Sequence, residues 1–333
     1  MKTIEQLAQE RILVLDGAMG TMIQRLGLKE EDFHPKGMED HQILLKGNNE
    51  LLSLSRPDAI RTIHEQYLAA GADIVETNTF SATSIAQAEH ECSHLAREMN
   101  LASVRLAKEA CAKYTAMDPS KPRFVAGAIG PMNKTASLSP DVNDPGYRAV
   151  TFDQLVAAYK EQVEALLDGG ADILLVETIF DTLNAKAAFY AIDEVFEARN
   201  TSVPLMCSVT ITDASGRTLS GQTIEAFLIS MQHVPLFSMG LNCALGAAQM
   251  RPYLEVIAEQ STSRVSIYPN AGLPDQMGEY RETPDVTARL VGEFMANGWV
   301  NVVGGCCGTT PEHIAALAKE AAKHTPRVLA VTA

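Results

Sequence analysis

Cys243, which closes Gly-Leu-Asn-Cys, and the neighbours Cys306 and Cys307 in Val-Val-Gly-Gly-Cys-Cys-Gly-Thr-Thr are the residues best suited to chemistry in this sequence. Each follows a short apolar, strand-like run, so three thiolates can meet at one end of a sheet. Three soft ligands leave the fourth tetrahedral position of a zinc ion open to water or substrate, whereas structural zinc is usually closed by four protein ligands. An open site of this kind acts on a sulfur or oxygen atom. The spacing departs from paired C-x2-C knuckles. In a regular strand, neighbouring side chains point to opposite faces, so Cys306 and Cys307 reach one ion only if the backbone bends. Gly304, Gly305 and Gly308 surround the pair, and glycine tolerates the positive φ such a bend calls for. The pattern alone leaves a zinc centre, inert packing as small hydrophobes and a redox pair all open.

The carboxylates offer a second set of candidates. Asp16 and Glu177 each end an apolar run, where they can bind a substrate ammonium, serve in acid–base work or cap backbone N–H groups. Glu76 is less promising, because it can alternate away from the mouth or pair with a basic neighbour. The histidines, among them His64, His90, His94 and His313, lie in helical patterns without metal spacing and read as surface or packing groups. Cys92 and Cys111 in a helical pattern, and Cys207 in a strand, read as core.

Composition narrows the class. The 333 residues carry a formal net charge of −14 and no basic stripe, which argues against a nucleic-acid binder. No apolar run is long enough to span a bilayer and the first residues lack a signal-peptide core; the expected compartment is the cytoplasm, where six cysteines read as thiols or metal ligands and not as a disulfide framework.

These groups must be positioned by the elements around them. Apolar runs recur near Ile12–Asp16, Ile74–Thr77, Phe124–Ala128, Ile173–Glu177, Leu205–Thr210, Leu236–Asn242, Val265–Pro269 and Val300–Val303. Helical patterns lie between them, at Pro57–Ala70, Ser84–Ala112, Thr151–Asp168, Thr182–Ala198 and Pro311–Lys323. Glycine breaks at Gly71, Gly169 and Gly298 punctuate helix-to-strand transitions. Eight βα units predict an α/β fold closed as a (β/α)8 TIM barrel, with a doubly wound sheet as the weaker alternative. Catalytic groups then belong at the carboxyl ends of the strands, where the sixth and eighth can share one metal. One domain is expected over residues 1–325, with 326–333 as a tail or the start of a linker.

Several segments carry a resemblance: Asp16-Gly-Ala-Met-Gly-Thr, Lys46-Gly-Asn-Asn-Glu, Glu76-Thr-Asn-Thr-Phe, Ser139-Pro-Asp-Val-Asn-Asp-Pro, Gly240-Leu-Asn-Cys-Ala-Leu-Gly, Pro269-Asn-Ala-Gly-Leu-Pro and Gly304-Gly-Cys-Cys-Gly-Thr-Thr-Pro. Together they are similar to the homocysteine S-methyltransferase family. The middle segments resemble more specifically the homocysteine-binding module of cobalamin-dependent methionine synthase. The similarity runs from about Arg11 to about Lys323.

The resemblance implies zinc (Zn2+) held by Cys243, Cys306 and Cys307, with L-homocysteine entering the open position as a thiolate and leaving as methionine. It places Asp16, Gly17, Thr77, Phe80 and Glu177 around the amino-acid end of the substrate, and makes Asn242 a candidate occupant of the open position. Methylcobalamin, held by a cobalamin-binding module and recharged by a methyltetrahydrofolate-binding module, in cis or in trans, is the implied donor. The segments Lys134–Gly146 and Thr212–Gln222 are candidate contacts for such a module. Two alternatives stand beside this reading: a stand-alone enzyme using betaine or a sulfonium donor, and a non-catalytic module stabilised by zinc.

Overall fold

Short apolar runs of Val, Ile, Leu and Ala become buried parallel strands when helices cover one face and a barrel interior the other. The computed structural model describes residues 2–212 and 215–329. Its strands are β1 (Leu13–Val14), β2 (Ile74–Glu76), β3 (Phe124–Ile129), β4 (Ile173–Ile179), β5 (Leu205–Val209), β6 (Ser238–Gly246), β7 (Arg264–Asn270) and β8 (Val302–Val303). All pairs are parallel, in the order β1-β8-β7-β6-β5-β4-β3-β2. A Leu15–Ile74 bridge joins β1 to β2 and closes the ring. The fold is the expected (β/α)8 barrel.

Side-chain alternation sorts each strand between its two environments. Leu13, Ile74, Ile173, Leu175, Met206 and Tyr268 fill the interior, while Val75, Val125, Leu174 and Cys207 pack outward against the helices. Helix α1 (Ile4–Glu10) stoppers the amino-terminal end by sending Ile4, Leu7 and Ala8 into the same cluster as Leu13, Ile74 and Phe237. Its capping box on Thr3 and Gln6 fixes where it begins. Each such Ile or Leu contributes roughly 1.5–3 kcal/mol by leaving water.

Three element boundaries differ from expectation. The helical pattern over 84–112 is interrupted: Ser84–Gln87 is a short helix, Glu91 turns to φ 55°, and a long helix starts at Ala96 and runs to Met117. Cys92 is therefore buried at a turn, not in a helix. Strand β6 runs on to Gly246, so Asn242 and Cys243 lie inside it. The pairing of β6 with β7 shifts register after Asn242, which lets the backbone depart there from regular strand geometry. At the far end, the Arg327 guanidinium donates to Ala258 O, Ser261 O and Ser263 O, and its carbonyl accepts from Asn301. The first residues of the expected tail are thus fastened to the barrel, and Ala330–Ala333 lie outside the described residues.

Candidate metal centre and acidic pocket

Three backbone devices bring the cysteines together. Cys243 and Ala244 both take left-handed φ values of 60°, a conformation that costs a non-glycine residue energy and persists only where its surroundings enforce it. Strand β8 stops at Val303, and Thr309 then donates through both its N–H and its hydroxyl to Cys306 O, closing a turn. That turn is sewn to β7 by Cys306 N–H to Pro269 O and by Ala271 N–H to Cys307 O. Adjacent cysteines thereby face one point.

The expected use of glycine here is only partly realised. Gly308 has φ 79°, but Gly304 and Gly305 are not left-handed. They are needed for space: a Cβ on Gly304 would lie 2.8 Å from Leu15 Cβ, and one on Gly305 would crowd Thr309.

The three Sγ atoms lie within 4.8 Å of one another, with Cys243 and Cys307 at 3.7 Å. A tetrahedral zinc with bonds of about 2.3 Å sets its sulfur ligands about 3.8 Å apart, so the donor set and its spacing fit zinc. Among the described residues this is the one cluster of metal-ligating type. The Cys307 thiol is pushed down by its contacts with Cys243 and Cys306, and Cys306 is pushed up by its contacts with Cys243 and Cys307. Three thiols this close cannot all keep their protons independently, which suits a cation site.

Beside the sulfurs opens a cavity of roughly 900 Å³ lined by Asp16, Glu76, Glu177, Phe80, Tyr280 and all three cysteines. Asp16, Gly17, Thr77 and Glu177 line this cavity. Glu76, the less promising acid in the sequence, joins them: it shares strand parity with Ile74, so it points inward. Burial, reinforced by the Glu76 charge, pushes the carboxyls of Asp16 and Glu177 well up; burial alone lifts Glu76 to about 7. Glu177 and Glu76 share a hydrogen bond. Among the described residues no ion pair joins this trio, although Arg25 lines the same cavity, and Asp16 Oδ1 is buried without a partner. Unpaired buried carboxyls of this kind await a cation.

The remaining expected residues divide between lining and support. Gly17 leaves room for its neighbours, since a Cβ there would lie 2.8 Å from Thr309 Oγ1 and the Tyr67 ring. Thr77 lines the cavity, but its hydroxyl serves Thr79 and Ala128 N–H. Phe80 presents a half-exposed ring at the mouth. Asn242, the candidate for the open position, is held by a network of its own. Its Oδ1 accepts from Thr178 N–H (2.9 Å) and Ser208 Oγ (2.7 Å), and its Nδ2 donates to Thr178 Oγ1 (2.7 Å) and toward Glu177 Oε2 (3.4 Å). With both oxygen lone pairs engaged, its amide braces β4, β5 and β6. By contrast, Asn270 Oδ1 is buried without a partner. Sequence reasoning also missed Tyr280, whose phenol lies beside Cys307. Nothing in Gly278-Glu-Tyr280 marks it except its place on the loop after β7.

The model of the homocysteine S-methyltransferase family matches residues 13–321. This chain belongs to the homocysteine S-methyltransferase family. Among solved structures, it is similar to the homocysteine methyltransferase MmuM from Escherichia coli in its metallated form, at 26% identity and a TM-score of 0.71, with 95% of this chain and 98% of that chain covered. The apo form of the same enzyme superposes with a TM-score of 0.68 at 24% identity, covering 95% of this chain and 98% of that one. A B12-independent methionine synthase from Shewanella sp. W3-18-1 shares the fold, at 14% identity and a TM-score of 0.53, over 94% and 97% of the two chains. Family membership makes this chain a methyltransferase acting on homocysteine. Among the described residues, no helix is long and apolar enough to cross a membrane.

Proposed function

We propose that this chain binds L-homocysteine at a zinc ion held by Cys243, Cys306 and Cys307, for methyl transfer from methylcobalamin carried by a separate module, yielding methionine. The observation carrying this reading is the three-sulfur cluster opening onto an acidic cavity. Zinc, when bound, supplies the charge that keeps a substrate thiol deprotonated at neutral pH. The chain's own residues do the rest. Asp16, Glu76 and Glu177 take the substrate ammonium, which supplies the positive charge their burial lacks. The brace through Asn242 holds Glu177 against Thr178, itself left-handed at φ 53°. That sets the distance between the amino-acid end and the sulfurs, so the reacting atom is presented in one orientation.

The donor is argued from the mouth. Large apolar side chains stand exposed on its loops: Leu44 after β1, Val142 after β3, Leu219 after β5, Leu273 and Met277 after β7. A rim of this kind supports docking of a corrinoid-bearing module over an open cavity. Both segments expected to meet such a module follow strands at this face, although Asp213 and Ala214 fall outside the described residues. The folate-binding module would recharge the corrinoid, in cis or in trans.

A second reading, a stand-alone enzyme with a small sulfonium or betaine donor, is favoured by the match to nearly the whole length of E. coli MmuM. Incubating zinc-loaded chain and homocysteine with free methylcobalamin, S-methylmethionine or betaine separates the two. Slow, chelator-sensitive methionine formation from methylcobalamin alone is expected; rapid turnover with either small donor and none with methylcobalamin would establish the second reading.

A further inference from the structure

The Lys46-Gly-Asn-Asn-Glu segment, in the long connection between β1 and β2, takes no part in the sulfur cluster or the acid trio. Gly47, Asn49 and Glu50 nevertheless line the same cavity, together with Phe80 and Ser81 from the loop after β2. The contacts between the two loops converge on Ser81. Its N–H donates to Oε1 of the buried Glu50 (2.9 Å), and its carbonyl accepts from Gln87 Nε2 (3.0 Å). Gln87 is itself locked in a reciprocal amide pair with Asn48, at 2.6 and 3.1 Å, and Asn78 Nδ2 donates to Asn49 O at 2.7 Å. Phe80 is gripped from the other side. Its carbonyl accepts from Gly130 N–H (3.2 Å), and a Cβ on Gly130 would collide with Phe80 O and lie 2.8 Å from the ring carbons Cγ and Cδ2.

A buried backbone N–H needs an acceptor, and a carboxyl oxygen supplies one whether or not the group carries charge. A pocket wall already held at several points loses less freedom when its ligand arrives. We propose that Glu50, acting through Ser81, positions Phe80 as a fixed wall of the homocysteine pocket, with Asn48 and Gln87 completing the latch. Phe80 covers the two-methylene stem of the substrate, between the ammonium taken by the acids and the sulfur taken by the metal. Glu50 is a positioning residue in this scheme and not a fourth acid for the ammonium, because its Oε1 is committed to the Ser81 N–H. The Asn-Asn-Glu segment thereby ties the loop after β1 to the loop after β2, where the sheet is joined by the Leu15–Ile74 bridge instead of a ladder.

The inference rests on homocysteine binding in this cavity, and its test keeps the two claims apart. Homocysteine affinity of the zinc-loaded chain is measured by calorimetry, with zinc content checked in every variant. Glu50→Met removes the acceptor at similar volume and should weaken homocysteine on the order of tenfold with zinc retained. Glu50→Gln, which keeps an acceptor for the Ser81 N–H, should recover most of that loss; an equal loss in both would make the charge of Glu50 the operative feature and overturn the proposal. Phe80→Ala should weaken binding by itself, and Glu50→Met added to it should cost little more, because the wall it holds is gone. Additive losses would mean that Glu50 acts on the ligand directly or on the fold at large. Gln87→Met gives a second route, since Gln87 is buried outside the cavity lining and reaches the substrate only through Ser81. It should weaken homocysteine in the wild-type background and not beside Phe80→Ala. Unchanged affinity in both Glu50→Met and Gln87→Met, with zinc retained and wild-type chain binding normally, would overturn this proposal alone. No binding by the wild-type chain would overturn the functional reading with it.

Discussion

The two ends of this barrel treat buried charge in opposite ways. At the amino-terminal end, Asp73 is fully buried yet satisfied: Arg11 grips it with two bonds of 2.7 and 2.8 Å, Val14 N–H donates to it, and Lys121 stands 3.6 Å away. Apolar residues of α1 seal the same end. At the carboxyl-terminal mouth, Asp16 and Glu177 are nearly as deeply buried and Glu76 partly so, but among the described residues no ion pair answers them. Left-handed Thr178, Cys243 and Ala244 add backbone cost there. One end spends its side chains on stability; the other withholds partners so that a ligand can supply them.

Breaking the cysteine cluster should give the largest effect. Serine at Cys243, Cys306 or Cys307 removes a soft ligand, and metal analysis should show zinc falling from about one per chain to a small fraction, with homocysteine binding lost. Undiminished zinc in all three variants would sink the assignment.

The two ends are compared directly by neutralising their acids. Asp73→Asn should destabilise the fold by about 3 kcal/mol, the low end for a broken buried pair because Arg11 is a third exposed, and leave homocysteine affinity unchanged. Glu177→Gln and Asp16→Asn should do the reverse, weakening homocysteine roughly tenfold to a hundredfold with zinc retained and little stability lost. Equal behaviour of the two sets, in denaturant melts and titrations, would erase the contrast.

The smallest effect is a pH slope. The mouth carboxyls have folded-state pKa values raised above their unfolded values, Glu76 to about 7. The unfolded chain releases these protons from about pH 4 upward while the folded chain retains them, so this contribution to stability falls as pH rises from about 4 through 7. Ligand-free chain should therefore melt progressively lower over that window. Glu76→Gln should flatten the slope, and homocysteine should restore stability most at the alkaline side. A slope unaffected by Glu76→Gln would mean that Glu76 ionises as freely folded as unfolded.

Much of this was legible in the chain because periodicity and punctuation are local. Apolar runs such as Ile173–Glu177 and glycine breaks such as Gly169 announce buried strands, and eight of them suffice for a closed barrel. Cys243 and Cys306–Cys307 could be placed at one face because strand order follows from the repeat. Glu76 was misjudged because its inward direction depends on the parity set by Ile74, which a three-residue strand barely declares. The bracing contacts of Asn242 were not legible because its partners, Thr178 and Ser208, belong to other strands.

Residue type and order by themselves determined the barrel, its catalytic face and which three cysteines stand at that face, since these follow from hydrophobic alternation and right-handed crossovers. Only the tertiary structure decided which acids stay unpaired, that Asn242 braces three strands, and that Tyr280 reaches Cys307. Those depend on ångström-scale distances between segments 27 to 161 residues apart, from Tyr280–Cys307 to Asp16–Glu177, and such distances are fixed by packing across the closed barrel.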